Sequence, residues 1–301
     1  MDWVERVLGI RQYARRGERA PHKPLLLLHA LGRFQREGSR PIPFSAAEDA
    51  LNRLLREFGP PRKTNPGYPF HHLANDDLLW VVETADGPGS PGPELSRLRA
   101  PGVHGRLHPE LAAALTAEPA LLSQLARAIL EANFEPSLHD DICQETGLDL
   151  DELPAPAVRI LPRRDPAFRV QVLEAYEFCC AFCGYDGWLD GTAVGLDAAH
   201  LRWHAFGGPD DLVNGLCLCA LHHRLLDRGV LGVTREHTIA VSRKFVGRAA
   251  ATTTLVHGLS GRPVREPQTG LPAPEADHID WHTSQVFRLP ARTRSVIGFR
   301  P

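Results

Sequence analysis

Long apolar runs, lysine, net charge and scattered cysteines are all scarce in this 301-residue chain, and each scarcity removes a class of answers. No uninterrupted apolar run approaches the roughly 18 residues needed to cross a bilayer. The opening Met1-Asp2-Trp3-Val4-Glu5-Arg6 lacks the apolar centre of a secretory signal. No membrane span is expected, and the expected location is the cytoplasm. In that reducing compartment six cysteines do not read as a disulfide framework, and their crowding into two short clusters plus the outlier Cys143 favours metal binding. The net charge of −2 creates no overall field for nucleic acid, yet only three of the 34 basic residues are lysine. Arginine grips phosphate through two parallel hydrogen bonds, so Arg11/Arg15/Arg16/Arg19 and Arg159/Arg163/Arg164/Arg169 are candidate backbone contacts. Solvated helix faces are the competing reading of both clusters. No internal repeat or low-complexity tract stands out.

What is present is globular composition, 43% apolar and 23% charged, at a length that suits two ordinary domains. Apolar spacing predicts helices over residues 2–16 and 24–36, with Pro24 in the first turn of the second. A short extended piece at 42–44 precedes a third helix through Phe58, opened by a capping box of Ser45 and Glu48. Residues 59–73, with four prolines and two glycines, read as a long rigid loop ahead of a strand at 78–82. A Gly/Pro-rich connection at 87–93 and a helix over 119–133 complete the first half. Residues 149–166 hold four prolines and mixed charge, which is linker composition. The expected division is therefore a first domain over 1–150, a linker over 151–164 and a second domain over 165–301. In the second, a helix over 165–178 leads to the cysteines, followed by a strand at 192–196, a helix after Asp210 and Asp211, strands at 230–233 and 238–241, and a helix over 276–287.

Structural zinc takes four soft or borderline ligands in a tetrahedron, commonly as two close-spaced pairs. Cys180-x2-Cys183 supplies one pair. Cys219-x2-His222 repeats its spacing, leaving Cys179 and Cys217 as small buried apolar groups. Adjacent side chains on a helix diverge by about 100°, so if His222 faces zinc, His223 is available to a second ion. Phosphodiester hydrolysis needs a base to deprotonate water, a cation to stabilise charge on the phosphate and departing oxygen, and a group that orients the base. His200, His223 and Asn214 match those three roles.

Ala198-Ala199-His200, Asn214-Gly215 and His223-x3-Asp227-x-Gly229 resemble the HNH, or ββα-metal, endonuclease family. The resemblance implies that His200 is the general base, that Asn214 holds the site loop and orients the base, and that His223 ligates a catalytic divalent ion, Mg²⁺ or Mn²⁺. Many members carry an acidic ligand directly before the first histidine, where this chain has Ala199. Asp197 or water is the expected substitute, with Asp227 as a further candidate. Leu259-Ser260-Gly261-Arg262-Pro263-Val264 and Trp281-His282 also look like the endings of restriction proteins of this type.

Arg19-Ala20-Pro21-His22-Lys23-Pro24-Leu25-Leu26-Leu27-Leu28 and Tyr68-Pro69-Phe70-His71-His72-Leu73 resemble the sulfur-binding domain of McrA-like type IV restriction endonucleases, a family that cuts phosphorothioate-modified DNA. Sulfur in place of a phosphate oxygen is larger and more weakly hydrated, so an apolar cup accepts it cheaply. An oxygen there would lose hydration without return, at about 1–3 kcal/mol. Pro21, Tyr68, Pro69 and His72 are the expected cup, and Arg19, His22, Lys23 and His71 the expected contacts to flanking phosphates or bases. The sequence thus reads as an α+β chain with a DNA-reading domain before a zinc-containing nuclease domain, acting on double-stranded DNA as a homodimer. The competing readings are a zinc-knuckle DNA-binding regulator with a silent nuclease site, and an HNH nuclease that reads another mark such as methylcytosine.

Overall fold

The computed structural model describes residues 2–12, 18–76, 78–150 and 165–293. The chain divides into two compact units, Met1–Pro162 and Arg163–Pro301, each mixing helices with short strands in α+β fashion. The expected linker at 151–164 lies outside the described residues.

The first unit is built on α2 (His22–Glu37), whose Leu25, Leu26, Leu27 and Leu28 are wholly buried. Around it lie α1 (Trp3–Leu8), α3 (Phe44–Phe58), α4 (Gly67–His72), α5 (Leu95–Leu98), α6 (Pro109–Ala117), α7 (Pro119–Asn133) and α8 (His139–Thr146). An antiparallel sheet of β1 (Ile42–Pro43), β2 (Trp80–Thr84), β3 (Gly87–Pro88) and β4 (His104–Leu107) runs in the order β1-β4-β2-β3. Phe70 packs edge-on against both Phe44 and Trp80, at 4.9 and 5.4 Å between ring centres. Glycine is required at 105, where a Cβ would stand 2.2 Å from the Trp80 ring.

Three expectations change here. The first helix stops at Leu8, its last turn closed by the Gly9 amide on the Glu5 carbonyl, while 13–16 of the expected span lie outside the described residues. The capping box does not form, because Glu48 is buried and drawn into a two-pronged pair with Arg99 at 2.6 and 2.9 Å. The expected loop at 59–73 contains α4 and a 3-10 turn, Leu73–Asn75. Pro66 and Pro69 fall at the cap and in the first turn, where helical amides have no intrahelical partner to lose. Asn65 accepts the Gly67 amide at 2.8 Å, and the buried Phe70 anchors the turn.

The second unit opens with α9 (Pro166–Ala175), capped by the Asp165 carboxylate on the Ala167 amide. β5 (Trp188–Leu189) and β6 (Thr192–Ala193) form a small hairpin. Gly195, at φ 74°, separates β6 from β7 (Leu196–His200), so the expected strand at 192–196 is two strands. β7 pairs antiparallel with β8 (Gly215–Cys219), from Leu196 opposite Cys219 to His200 opposite Gly215. The helix expected after Asp211 is a single 3-10 turn, Leu212–Asn214, because the buried Leu216, Cys217 and Leu218 belong to β8. α10 (Ala220–Asp227) follows, then β9 (Leu231–Val233) paired with β10 (Ile239–Val241), α11 (Ala250–Leu255) and α12 (Ala276–Gln285). Trp281 of α12 packs on Trp203 and Phe206, and the Glu275 amide donates to the Val213 carbonyl, so α12 braces the 201–214 loop. His282 donates from Nε2 to the Leu226 carbonyl at the end of α10.

Two measurements follow from this packing. Trp281→Ala should cost the second unit about 3–5 kcal/mol, as removal of a buried indole does, and raise amide exchange across 201–214 while leaving 1–150 unchanged. In the first unit His22 and His29 of α2 are lowered to about 4 by burial, with Arg62 beside His22 and Arg33 beside His29 adding to the effect. Both rings are thus neutral in the fold, whereas the unfolded chain protonates them near 6.5. The first unit should therefore lose stability as pH falls from 6.5 to 4, by up to about 3 kcal/mol per ring, and the loss should level off below 4. Amide exchange within α2 across that range checks it.

Candidate functional site

In the first unit, the two motifs meet in one cleft of about 740 Å³, bordered among others by His22, Lys23, Arg62, Tyr68, Pro69, His72 and Asp76. Pro69 is buried in the wall, whereas Tyr68 is 53% exposed and its ring lies 6.1 Å from that of His72. Pro21 is buried at the N-cap of α2, next to the cleft residues Ala20 and His22. His71 turns toward Ser90, Nδ1 to Oγ at 2.7 Å, and does not border the cleft. Arg19 is corrected: it is 2% exposed and donates to the Phe58 carbonyl, so it ties the chain entering α2 to the end of α3 instead of facing a phosphate. Lys23 borders the cleft with its charge engaged by Asp76 at 2.5 Å.

Sequence reasoning missed Arg62, Asp76 and Gln12, and held Arg11 only as one of a cluster. Arg11 bonds the Asn75 carbonyl and reaches Asp76, and Arg62 bonds the Arg19 carbonyl and Glu18. The signal for Arg62 was its place in the proline-rich turn just ahead of Tyr68. Arg15, Arg16, Arg159, Arg163 and Arg164 lie outside the described residues.

In the second unit, Cys180, Cys183, Cys219 and His222 converge, with ligand atoms all within 4.8 Å of one another. Among the described residues this is the one group of three or more that meets that spacing. The knuckle is shaped by the Cys180 amide on the Tyr185 carbonyl and the Gly184 amide on the Cys180 carbonyl. His222 Nε2 donates to the Leu255 carbonyl at 2.8 Å, which leaves Nδ1 as the lone-pair nitrogen, 3.2 and 3.5 Å from the Cys219 and Cys180 sulfurs. An outer hydrogen bond that fixes the tautomer is what a metal-binding imidazole needs, so the donor set fits a tetrahedral thiophilic ion. Cys217 is wholly buried and its thiol is pushed up to about 12, first by burial and then by the neighbouring Cys180 and Cys179, so it stays a neutral apolar group. Cys179 is half-buried.

Asn214 sits at the other end of the same hairpin, wholly buried, where it cross-links the preceding loop. Its Oδ1 accepts the Arg202 amide at 2.7 Å, and Nδ2 donates to the Arg202 and Pro209 carbonyls at 2.8 and 3.0 Å. His200 ends β7 with its side chain 1% exposed, stacked on Phe168 of α9 at 4.3 Å and 17°. A side chain at Gly215, opposite His200, would collide with Val172 and Phe168, so the glycine is what lets α9 close on this face. His200 Nε2 donates to Asp210 Oδ1 at 2.8 Å. Burial works against ionisation of Asp210, but the Asp165 amide and His200 hold its carboxyl below the usual range. Asp210 is a further residue that sequence reasoning missed, read there only as preceding a helix.

The hydrogen-bond partners of His223 are different carboxylates. Its Nδ1 lies 3.5 Å from Asp197 Oδ2 and its Nε2 lies 3.3 Å from Asp227 Oδ2, one turn along α10. Asp197 is half-exposed and also meets Arg169, at 3.2 Å, which places that arginine at the site edge. Although burial opposes it, His223, the Ala198 amide and Arg169 together keep Asp197 below the usual carboxylate range. Strand alternation puts Asp197 on the same face of β7 as Ala199, so it stands on the side where the acidic residue is missing. The two carboxylates lie on opposite nitrogens of the ring, so one of them can share a hard divalent cation with His223 while the other orients the imidazole.

Residues 1–151 match the family described as ScoMcrA-like, DNA sulfur-binding domain, and residues 180–234 match the HNH endonuclease family. No relative is found among curated proteins. Among solved structures, the chain is similar to the "Sulfur binding domain of ScoMcrA complexed with phosphorothioated DNA" at 27% identity and a TM-score of 0.42, over 49% of this chain and 96% of that one. It is similar at 26% identity to the type IV phosphorothioation-dependent restriction endonuclease ScoMcrA (TM-score 0.39, 49% of this chain, 28% of that one) and to the modification dependent TagI restriction endonuclease (TM-score 0.33, 42% and 39%). The chain belongs to the ScoMcrA-like DNA sulfur-binding domain family and carries an HNH endonuclease domain after it.

Proposed function

We propose that this protein is a restriction endonuclease that recognises phosphorothioate-modified double-stranded DNA through residues 1–150 and hydrolyses phosphodiester bonds with residues 165–301, joined by 151–164. The observation that carries the reading is the meeting, in one cleft of a sulfur-binding-domain unit, of Lys23 and His22 with Tyr68 and Pro69. The exposed Tyr68 ring and the Pro69 wall give sulfur an apolar seat, in which an oxygen would lose hydration worth about 1–3 kcal/mol. With Lys23 engaged by Asp76, Arg11 and Arg62 supply the positive edge for the flanking backbone.

For cleavage, His200 takes the proton of the attacking water, and Asn214 fastens the loop that follows it. His223 and Asp197 would hold the divalent ion, and Asp227, at the other ring nitrogen, would orient the imidazole. Bound there, Mg²⁺ or Mn²⁺ would stabilise charge on the phosphate and departing oxygen. Cys180, Cys183, Cys219 and His222 would hold zinc, which would tie the knuckle to the hairpin. Cutting both strands calls for two such sites, hence a homodimer, working in the cytoplasm.

The near-complete burial of His200, together with Ala199, favours a second reading, a zinc-knuckle DNA-binding regulator whose nuclease site is silent. Plasmid carrying phosphorothioate, methylcytosine or no modification, incubated with Mn²⁺, separates the readings. Only the first should be cut, and His200→Ala should lower the rate on the order of 10²-fold or more. Absence of cutting with retained binding would establish the regulator. Tyr68→Ala should weaken binding of the phosphorothioate duplex about tenfold or more, a loss of at least about 1.4 kcal/mol, with little effect on the plain duplex. The adjacent imidazoles should separate by metal content: His222→Ala loses zinc and unfolds the knuckle, whereas His223→Ala keeps zinc and loses cleavage.

A further inference from the structure

Asp210 belongs to neither motif, yet it reaches the proposed base directly. One carboxylate oxygen accepts from His200 Nε2 at 2.8 Å, and the other accepts the Asp165 amide at 2.8 Å. Asp165 in turn caps α9, whose first turn presents Phe168 to the face of the same imidazole. The ring is therefore gripped at its edge by a carboxylate and on its face by a phenyl group, both referred to one helix start.

We propose that Asp210 is the positioning residue of His200, fixing the proton on Nε2 so that Nδ1 is the basic nitrogen. This rests on the reading of His200 as the base. A neutral imidazole carries one N–H and one lone pair, and the partner of one nitrogen decides which is which. A carboxylate can only accept, so it selects the Nε2–H tautomer. It also stabilises the imidazolium formed when Nδ1 takes the proton from water, the logic by which a third group supports a base in other hydrolases. The Asp210 side chain is 13% exposed, which keeps the pair largely clear of competing water. Beside the pair lie the Asp165 backbone amide at the start of α9 and the titratable His204 on the loop, its ring 6.4 Å from that of His200.

The competing role is structural: Asp210 would merely pin the 201–214 loop to α9. Asp210→Asn separates the two, since its carbonyl still accepts the Asp165 amide while the negative charge is gone. Positioning predicts a fall in kcat on the order of 100-fold with KM for phosphorothioated DNA within about twofold. The acid limb of the pH–rate profile should move to lower pH, because an imidazolium without its carboxylate releases its proton more readily. Asp210→Glu should recover part of the rate. An Asn variant with wild-type kcat and an unmoved acid limb would overturn the inference, and so would Asn and Glu variants that lose activity only in step with thermal stability. His200→Ala in parallel tells the failures apart: if it cuts as fast as wild type, the base assignment falls. Nitrogen-15 correlation of the His200 ring in the full-length protein gives a readout independent of cleavage. The Nε2–H tautomer is expected in wild type, and an Nδ1–H tautomer there rejects the proposal.

Discussion

The pairing of β7 with β8 sets the geometry of everything chemical in the second unit. Its register puts Cys219 opposite Leu196 at one end and Gly215 opposite His200 at the other. The thiolate cluster and the His200–Asn214 corner therefore share one short hairpin, and α10 leaves the same strand carrying His222 toward the sulfurs and His223 toward two carboxylates. Because strand side chains alternate faces, a slip of one residue would turn Asp197 and His200 to the wrong sides together. The wholly buried Leu216, Cys217 and Leu218 oppose such a slip, since it would carry Cys217 out of the core. The register that seats Cys219 is thus the register that seats His200.

The imidazoles of the two units have neighbours of opposite charge. His200 lies against Asp210, and His223 against Asp197 and Asp227. His22 and His29 are kept neutral first by burial, and nearby arginines add to the effect. A neutral His22 at the cleft can pack against an apolar surface or share one hydrogen bond without adding positive charge. In that cleft, charge is supplied by guanidinium groups at the edge, while the floor pairs Lys23 with Asp76.

Much of the site was legible because its parts are local in sequence. Two cysteines with two residues between them, a cysteine and a histidine at the same interval, and adjacent histidines on a short helix carry their geometry with them. What escaped notice depends on tertiary placement. Asp210 meets His200 only because the loop between the strands folds back and Asn214 fastens it. Asp76 and Arg62 reach the cleft from turns with no pattern of their own. Arg19 read as a surface cation, and nothing local reveals that the Phe58 carbonyl draws it inward. Helix α4 was hidden by its prolines, which signal a loop unless they fall at the cap and in the first turn, as Pro66 and Pro69 do. The capping box at Ser45 had the right letters, but Arg99 claimed Glu48 from across the fold.

Helix α12 follows the hairpin by dozens of positions, yet Trp281 covers the loop between His200 and Asn214. During synthesis the hairpin leaves the ribosome well before that indole exists. A nascent chain can thus assemble its knuckle and strands while the loop over Trp203 still lacks its lid. The order of the elements along the chain delays completion of the HNH domain until translation has passed α12.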